Sequence, residues 1–515
     1  MKAVAIDGEN LTIEAVTQVA RNHTKATLAP KAKQQVQKSR QVLEQLIKEK
    51  KTIYGVTTGF GAFGNVSIPP QSIRELQLNL IRSHSVGVGK PASTETVRAM
   101  MLLRANTLAK GYSGIRLETL ETLIAMLNKG VHPIVPEQGS VGASGDLAPL
   151  SHMTLVLMGE GEAEYQGERL SGKQALAKAG IKPVKLEAKE GVGFINGTQF
   201  MTAIAALTVY DAQTLIATAE AAASLSLEAL RSIADTFDSR IHTVRPHRGQ
   251  TATASNIRSL IAGSKNILSG EKAAHAKLYP QDAYSLRCIP QVLGCVRDAV
   301  NYVKTVVEIE ANSATDNPLV FIEDKACLSG GNFHGQPIAL AMDFLATALT
   351  TVGNMSERRT ARLTDENCSR GLPAFLVSSD EKRGVESGFM ALQYTAAALA
   401  SENKALAHPA SVDSIPTSAN FEDFVSMGPV AARKAEVILR NVERIVAIEL
   451  LCAAQGADLR GADKLGTGTK TVYSLIRRRV PMLTKDRPLT RDVEKIVETM
   501  RNGQMVKAVK PFIGS

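Results

Sequence analysis

The chain has 515 residues, 44% of them hydrophobic but only 4% aromatic and none of them tryptophan, so alanine and aliphatic side chains must fill a sizeable core. The formal charge of +10 is a small excess of 60 basic over 50 acidic residues. The basic clusters KAKQQVQKSR (31–40) and LIRRRV (475–480) read as solvated helix faces, and with aromatics so scarce they make a poor nucleic-acid groove.

Five scattered cysteines without CxxC spacing speak against a disulfide framework and a zinc site and for a reducing, cytoplasmic setting. The opening MKAVAIDGENLTIEAV meets acids before any apolar run of signal-peptide length. The most apolar stretches are interrupted by Asp211, Glu220 or Asp343, which argues against a membrane span.

In chain order, the first 200 residues are punctuated by glycine and proline, with short helices between loops. TIYGV (52–56) and GEAEYQGERL (161–170) fit small β ribbons. Gly59, Gly61 and Gly64 satisfy GxGxxG, yet NVSIPP follows them where a dinucleotide fingerprint needs a helix N-terminus. From Met201 the texture changes. Met201–Val244 holds neither glycine nor proline and reads as one long helix. Val296–Asn312, Pro337–Thr350 and Ala431–Gly456 are further candidates. In the last, Ile438, Val442, Ile445, Ile448 and Cys452 share one face, and Val437, Val446, Leu450 and Leu451 widen it into a buried helix. The expected class is mainly α, a long-helix bundle (201–515) behind a looped N-terminal domain (1–200), and such helices favour a homo-oligomer.

The chemistry centres on GSVGASGDLAPLSH (139–152). It is not a GxSxG nucleophile elbow, because Asp146 stands where the second glycine belongs. Ala143-Ser144-Gly145 allows something else. If the Gly145 nitrogen attacks the Ala143 carbonyl carbon, a five-membered ring closes. Loss of two waters, one carrying the Ser144 hydroxyl, leaves an exocyclic methylidene. Glycine leaves that nitrogen unhindered, serine supplies the leaving hydroxyl, and Asp146 is placed to assist proton transfer. Amide resonance makes the nitrogen a poor nucleophile, so the fold must force its approach.

This segment resembles the signature of the aromatic amino acid ammonia-lyase family. YGVTTGFG (54–61), FINGTQ (194–199), QDAYSLRCIPQVLG (281–294), TDNPLV (315–320), GNFHGQP (331–337) and EDFVSMG (422–428) are similar to family segments in the same order. The resemblance implies a fumarase/aspartase-like helical fold and a homotetramer with shared active sites. It implies a 4-methylidene-imidazol-5-one (MIO) cofactor built from Ala143, Ser144 and Gly145, with no metal and no dissociable cofactor. Within the family the chain is most similar to the histidine-specific lyases, which implies a carbon–nitrogen lyase converting L-histidine to trans-urocanate and ammonia.

By the same resemblance Tyr54 takes the β-proton, which requires a phenolate favoured by positive charge or oriented donors. Arg287 holds the substrate carboxylate, while Asn196, Tyr284 and Gln281 steady it and the transferring groups. Ser83 and His84 read the ring, Phe333 packs on it, and Glu422 accepts from the imidazole or moves a proton. Gly142 and Leu147 are structural. Attack on the methylidene by the amine or by the aromatic ring both fit.

Phe421 and Phe424 depart from the Gln and His that usually flank this Glu-Asp pair in histidine-specific members, and could shift preference toward a larger, less polar ring. Tyrosine or phenylalanine ammonia-lyase and a related aminomutase are therefore alternatives. A fumarase-type lyase would carry a GSSxMPxK serine loop, absent from this sequence. A non-enzymatic basic helical scaffold, binding polyanions with salt sensitivity, would leave the ordered motifs unexplained.

Overall fold

The computed structural model describes residues 3–275 and 280–514. Helices dominate, and the strands form only small ribbons of two or three strands. Glu162–Tyr165 pairs antiparallel with Glu168–Ser171 around Gln166 and Gly167, whose φ values of +54° and +81° suit a tight hairpin turn. TIYGV is not a strand. The Thr57 amide bonds back to the Ile53 carbonyl at 2.9 Å, and Ile53 and Val56 sink together into a cluster with Leu43, Ile73 and Val320. Apolar residues three apart serve a helical turn as well as they serve a ribbon.

Four long helices follow: Gln199–Ala229, Ile289–Ala311, Gln336–Thr364 and Gly428–Arg460. The first stops well short of Val244. Arg231 adopts φ +51°, and the Ser232 amide returns to the Leu227 carbonyl at 2.9 Å, a left-handed helix end built without glycine. In Gly428–Arg460 the five residues expected on one face are all fully buried, as are Val446, Leu450 and Leu451, whereas Val437 is exposed. Gln199–Ala229 and Gln336–Thr364 are long and apolar enough to cross a membrane by length and composition, but 83% and 61% of their apolar windows are buried inside the protein. Core helices carry the same pattern. Glu220 on the first is fully buried and bonded to Thr253, Asn256 and Arg297.

The chain forms two compact units. One comprises Met1–Tyr210, Val303–Asp343 and Pro409–Arg433, the other Asp211–Tyr302, Phe344–His408 and Lys434–Ser515. This differs from a division at residue 200, because 303–343 and 409–433 join the N-terminal segment. Of the five unit changes, those at 210/211, 302/303, 343/344 and 433/434 fall inside the long helices and that at 408/409 falls in a loop.

In the first unit, helix Thr94–Ala109 is buried at every position from Thr96 onward. It carries two buried arginines. Arg98 donates to the carbonyls of Val19, Ala20 and Leu127, at the ends of helices Ile13–Arg21 and Leu117–Lys129, and meets His132 Nε2 at 3.0 Å.

Burial, together with Arg98 and His23, pushes the His132 imidazole down to about 4. An unfolded chain takes up this proton near 6.5, so the stability tied to neutral His132 is present above that pH and is lost as pH falls toward 4. The loss corresponds to about 3 kcal/mol. Urea midpoints between pH 6.5 and 4.5 should fall less steeply in His132→Gln than in the parent. Titrating groups remote from His132, shared by both proteins, cancel in that difference. Equal slopes would contradict the assignment.

Candidate active site

The Ala-Ser-Gly segment lies in a turn of left-handed residues that leads into helix Leu147–Leu157. Gly142, Ser144 and Gly145 have φ of +81°, +50° and +84°, and the Gly145 amide closes back on the Gly142 carbonyl at 3.3 Å. The turn is clamped to Gly197. The Asp146 amide donates to the Gly197 carbonyl at 2.7 Å, and the Gly197 amide donates to the Ser144 carbonyl at 3.2 Å. A Cβ on residue 145 would stand 2.2 Å from the Gly197 oxygen, so glycine is required by space as well as by dihedral.

Directly behind, Asp146 is fully buried. Its Oδ2 accepts from the Phe200 and Met201 amides at 2.9 and 3.0 Å, in the first turn of Gln199–Ala229, while Oδ1 has no partner. Burial pushes this carboxyl up to about 7 against those two amides, and Glu310 adds to the rise. These features fit the self-made ring implied by the sequence: a compressed turn, an unhindered glycine nitrogen, and a carboxyl able to exchange a proton near neutrality.

Tyr54 leaves the Ile53–Thr57 turn half-buried. Its hydroxyl accepts from the Gly61 amide at 2.7 Å, and Phe60 meets its ring edge-on at 6.4 Å between centroids. A Cβ on Gly64 would lie 3.0 Å from the Tyr54 ring. Gly61 and Gly64 of GFGAFG thus wrap a phenol. Burial raises the Tyr54 pKa, the Gly61 amide lowers it, and Glu422 raises it, with a net upward shift.

Glu422 ends a loop whose backbone pairs Thr417 with Glu422. Its Oε1 accepts from Ser144 Oγ at 3.0 Å and its Oε2 from Thr417 Oγ1 at 2.8 Å. Ser144 therefore faces a carboxylate and not the imidazole of a hydrolase triad. Asn196 caps helix Glu190–Ile195, buried, with Oδ1 unpartnered. Arg104 fixes this corner from within, donating to the carbonyls of Gly193, Asn196 and Thr315 and to Gln199 Oε1. Ser83 and His84 end helix Ile73–His84. His84 Nδ1 lies 2.9 Å from the Leu80 carbonyl, which can only accept, so Nδ1 carries a proton, and Ser83 Oγ lies 3.0 Å from the same nitrogen.

Tyr54, Ser83, His84, Ser144, Asn196 and Glu422 all line one cavity of about 570 Å³ in the first unit. Leu147, expected to be structural, also lines it. Ala143 is half-buried in the turn. Phe333 is half-buried in the loop before Gln336–Thr364 and is not part of the lining. Gln281, Tyr284 and Arg287 belong to the second unit. Gln281 is exposed, Tyr284 is exposed with the Arg287 guanidinium 4.7 Å from its ring centroid, and the Arg287 Nε is buried without a partner.

Sequence reasoning missed Leu76, Asn79 and Ser418 in the lining. Leu76, Asn79 and Ser83 recur at steps of three and four, a periodicity that could have found the first two. Phe421 and Phe424 do not line the cavity. Both are exposed, and Phe424 stacks on His334 at 5.9 Å.

The sequence matches the aromatic amino acid lyase family over residues 11–478. It is 54% identical to the histidine ammonia-lyase of Alkaliphilus oremlandii, over 100% of this chain and 99% of that one. Among solved structures, the histidine ammonia-lyase of Trypanosoma cruzi superposes with a TM-score of 0.92 at 42% identity, covering 100% of this chain and 96% of that one. The tyrosine aminomutase of Streptomyces globisporus gives a TM-score of 0.95 at 41% identity, with coverage of 100% and 99%. Full-length likeness at this level, together with the mainly helical fold, makes the chain a member of the aromatic amino acid lyase family.

Proposed function

We propose that this protein eliminates ammonia from L-histidine to give trans-urocanate, using an MIO ring formed from its own Ala143, Ser144 and Gly145. One observation carries the reading. The turn that is left-handed at Gly142, Ser144 and Gly145 presents Ser144 to a cavity shared by Tyr54, Asn196, His84 and Glu422. The full-length relatives named histidine ammonia-lyase support it. The ring supplies an electron-poor exocyclic carbon, a reactivity that ordinary side chains lack.

The chain's own residues do the rest. Tyr54 accepts the β-proton. Asn196 Oδ1, buried and without a protein partner, offers an acceptor to the substrate amino group. Beside His84, the Glu422 carboxylate offers an acceptor to an imidazole N–H, which a phenyl ring would leave unpaired. Asp146, near neutrality, relays protons while the ring closes.

Tyr54 needs a positive neighbour to become a phenolate, since burial and Glu422 oppose it. We assign that role, and the grip on the substrate carboxylate, to Arg287 of a neighbouring copy, with Tyr284 and Gln281 beside it, in a homotetramer whose sites are shared. Phe333 packs on the substrate ring in the completed site. The five free cysteines suit a cytoplasmic enzyme.

The test is a comparison of substrates. L-Histidine should give the ultraviolet band of urocanate, with kcat/KM at least about 100-fold above that for L-tyrosine or L-phenylalanine, and no β-amino acid should accumulate. Comparable turnover of either alternative overturns the histidine assignment, and a β-amino acid product overturns the lyase outcome.

A further inference from the structure

Resting on the reading that Ala143-Ser144-Gly145 becomes the ring, we propose that Glu422 is the acid–base group that removes the Ser144 hydroxyl during maturation. Glu422 would then act on the protein itself before it acts on any substrate.

The geometry is that of the open chain. Among the described residues, Ser144 Oγ has Glu422 Oε1 as its hydrogen-bond partner, at 3.0 Å. The carboxylate is held from its other side by Thr417 Oγ1 at 2.8 Å. The loop between them is closed by two backbone bonds, Thr417 N to Glu422 O at 2.9 Å and Glu422 N to Thr417 O at 3.3 Å. Within it Ser418, Ala419 and Asn420 all adopt left-handed φ, +51°, +52° and +64°. Three consecutive residues with a Cβ are disfavoured in that region and persist only where the surroundings require it. What the loop secures is the position of one carboxylate oxygen against one hydroxyl.

Asp146 has other partners. Its carboxyl accepts from the Phe200 and Met201 amides, its own amide is bound to Gly197, and no bond joins it to Oγ among the described residues. Glu422 serves the second of the two dehydrations.

In the second one, ring closure has placed the Ser144 Cα hydrogen between a carbonyl and a ring imine nitrogen, which acidifies it. The Cα–H bond breaks, its proton passes to the Glu422 carboxylate, and its electron pair forms the Cα=Cβ bond. The Cβ–Oγ bond breaks as Oε1 returns a proton to Oγ across the hydrogen bond. One water leaves, no oxidant or reductant is needed, and the carboxylate is regenerated. Oε1 has then lost its donor and is free to accept from the substrate ring.

The readout is mass, not activity, because a catalytic role for Glu422 would by itself abolish turnover. The wild-type protein and Glu422→Gln are digested, and the peptide carrying residues 143–145 is weighed, with thermal unfolding run alongside. The wild-type peptide should be short by two waters. Glutamine keeps the shape but cannot relay a proton, so its peptide should be short by one water or none. Loss of both waters in Glu422→Gln overturns the proposal. A wild-type peptide of full mass would instead overturn the ring itself.

Should Glu422→Gln fail to fold, Thr417→Val decides. It removes the hydroxyl that positions the carboxylate and should leave a measurable fraction of peptide unprocessed, restored to full processing by Thr417→Ser. Complete processing in Thr417→Val would then overturn the proposal.

Discussion

Ser144→Ala should fold like the parent and lose nearly all activity, with kcat down on the order of 10⁴-fold or more. Alanine and serine are equally able to hold φ +50°, and the one side-chain bond lost is that to Glu422, a half-buried group that keeps Thr417 as a partner. The thermal midpoint should therefore move little. What disappears is the hydroxyl whose departure creates the electrophile, and no neighbouring side chain can replace that carbon. A Ser144→Ala protein with parental turnover would rule out the ring.

Tyr54→Phe is expected to lower kcat by about 10² to 10⁴, the range for loss of a general base, with a smaller effect on KM. The stability cost should be about 1 kcal/mol, because the Gly61 amide loses its acceptor. The pH profile separates a base from a packing residue. Tyr54 works only when deprotonated, and in the assembled site the proposed Arg287 of the neighbouring copy opposes the upward push of burial and Glu422. Parental kcat/KM should therefore rise with pH through the Tyr54 titration, and the phenylalanine variant should lose that rise. A variant that kept the same alkaline limb at reduced height would assign the proton to another group.

Much of this site could be read from the chain alone because its residues cluster in local motifs. Ser144 sits in a turn whose glycines announce left-handed backbone, and Ser83-His84 lie at the end of one short helix. Asn196 and Asp146 are joined through the Gly197 backbone, a contact between the distant motifs FINGTQ and GASGD that only the fold discloses. The misreadings have physical causes. Ile53 and Val56 are spaced for a helical turn that a five-residue window cannot tell from a ribbon. The helix starting at Gln199 ends through Arg231 in a conformation usually left to glycine, so composition gave no warning. Thr417 and Ser418 stayed invisible because their role follows from three left-handed residues in a row, of which only Asn420 is a type that favours that region. Gln281, Tyr284 and Arg287 fall in the second compact unit, and the expected division at residue 200 likewise kept them apart from Tyr54 and Ser144.

The central claim is covalent, and a crystal structure of a fully active preparation tests it most directly. Electron density at residues 143–145 should show a closed five-membered ring bearing a planar exocyclic methylidene in place of the serine hydroxymethyl group. An unbroken peptide with an intact Ser144 side chain, in protein that turns over at full rate, would contradict the account.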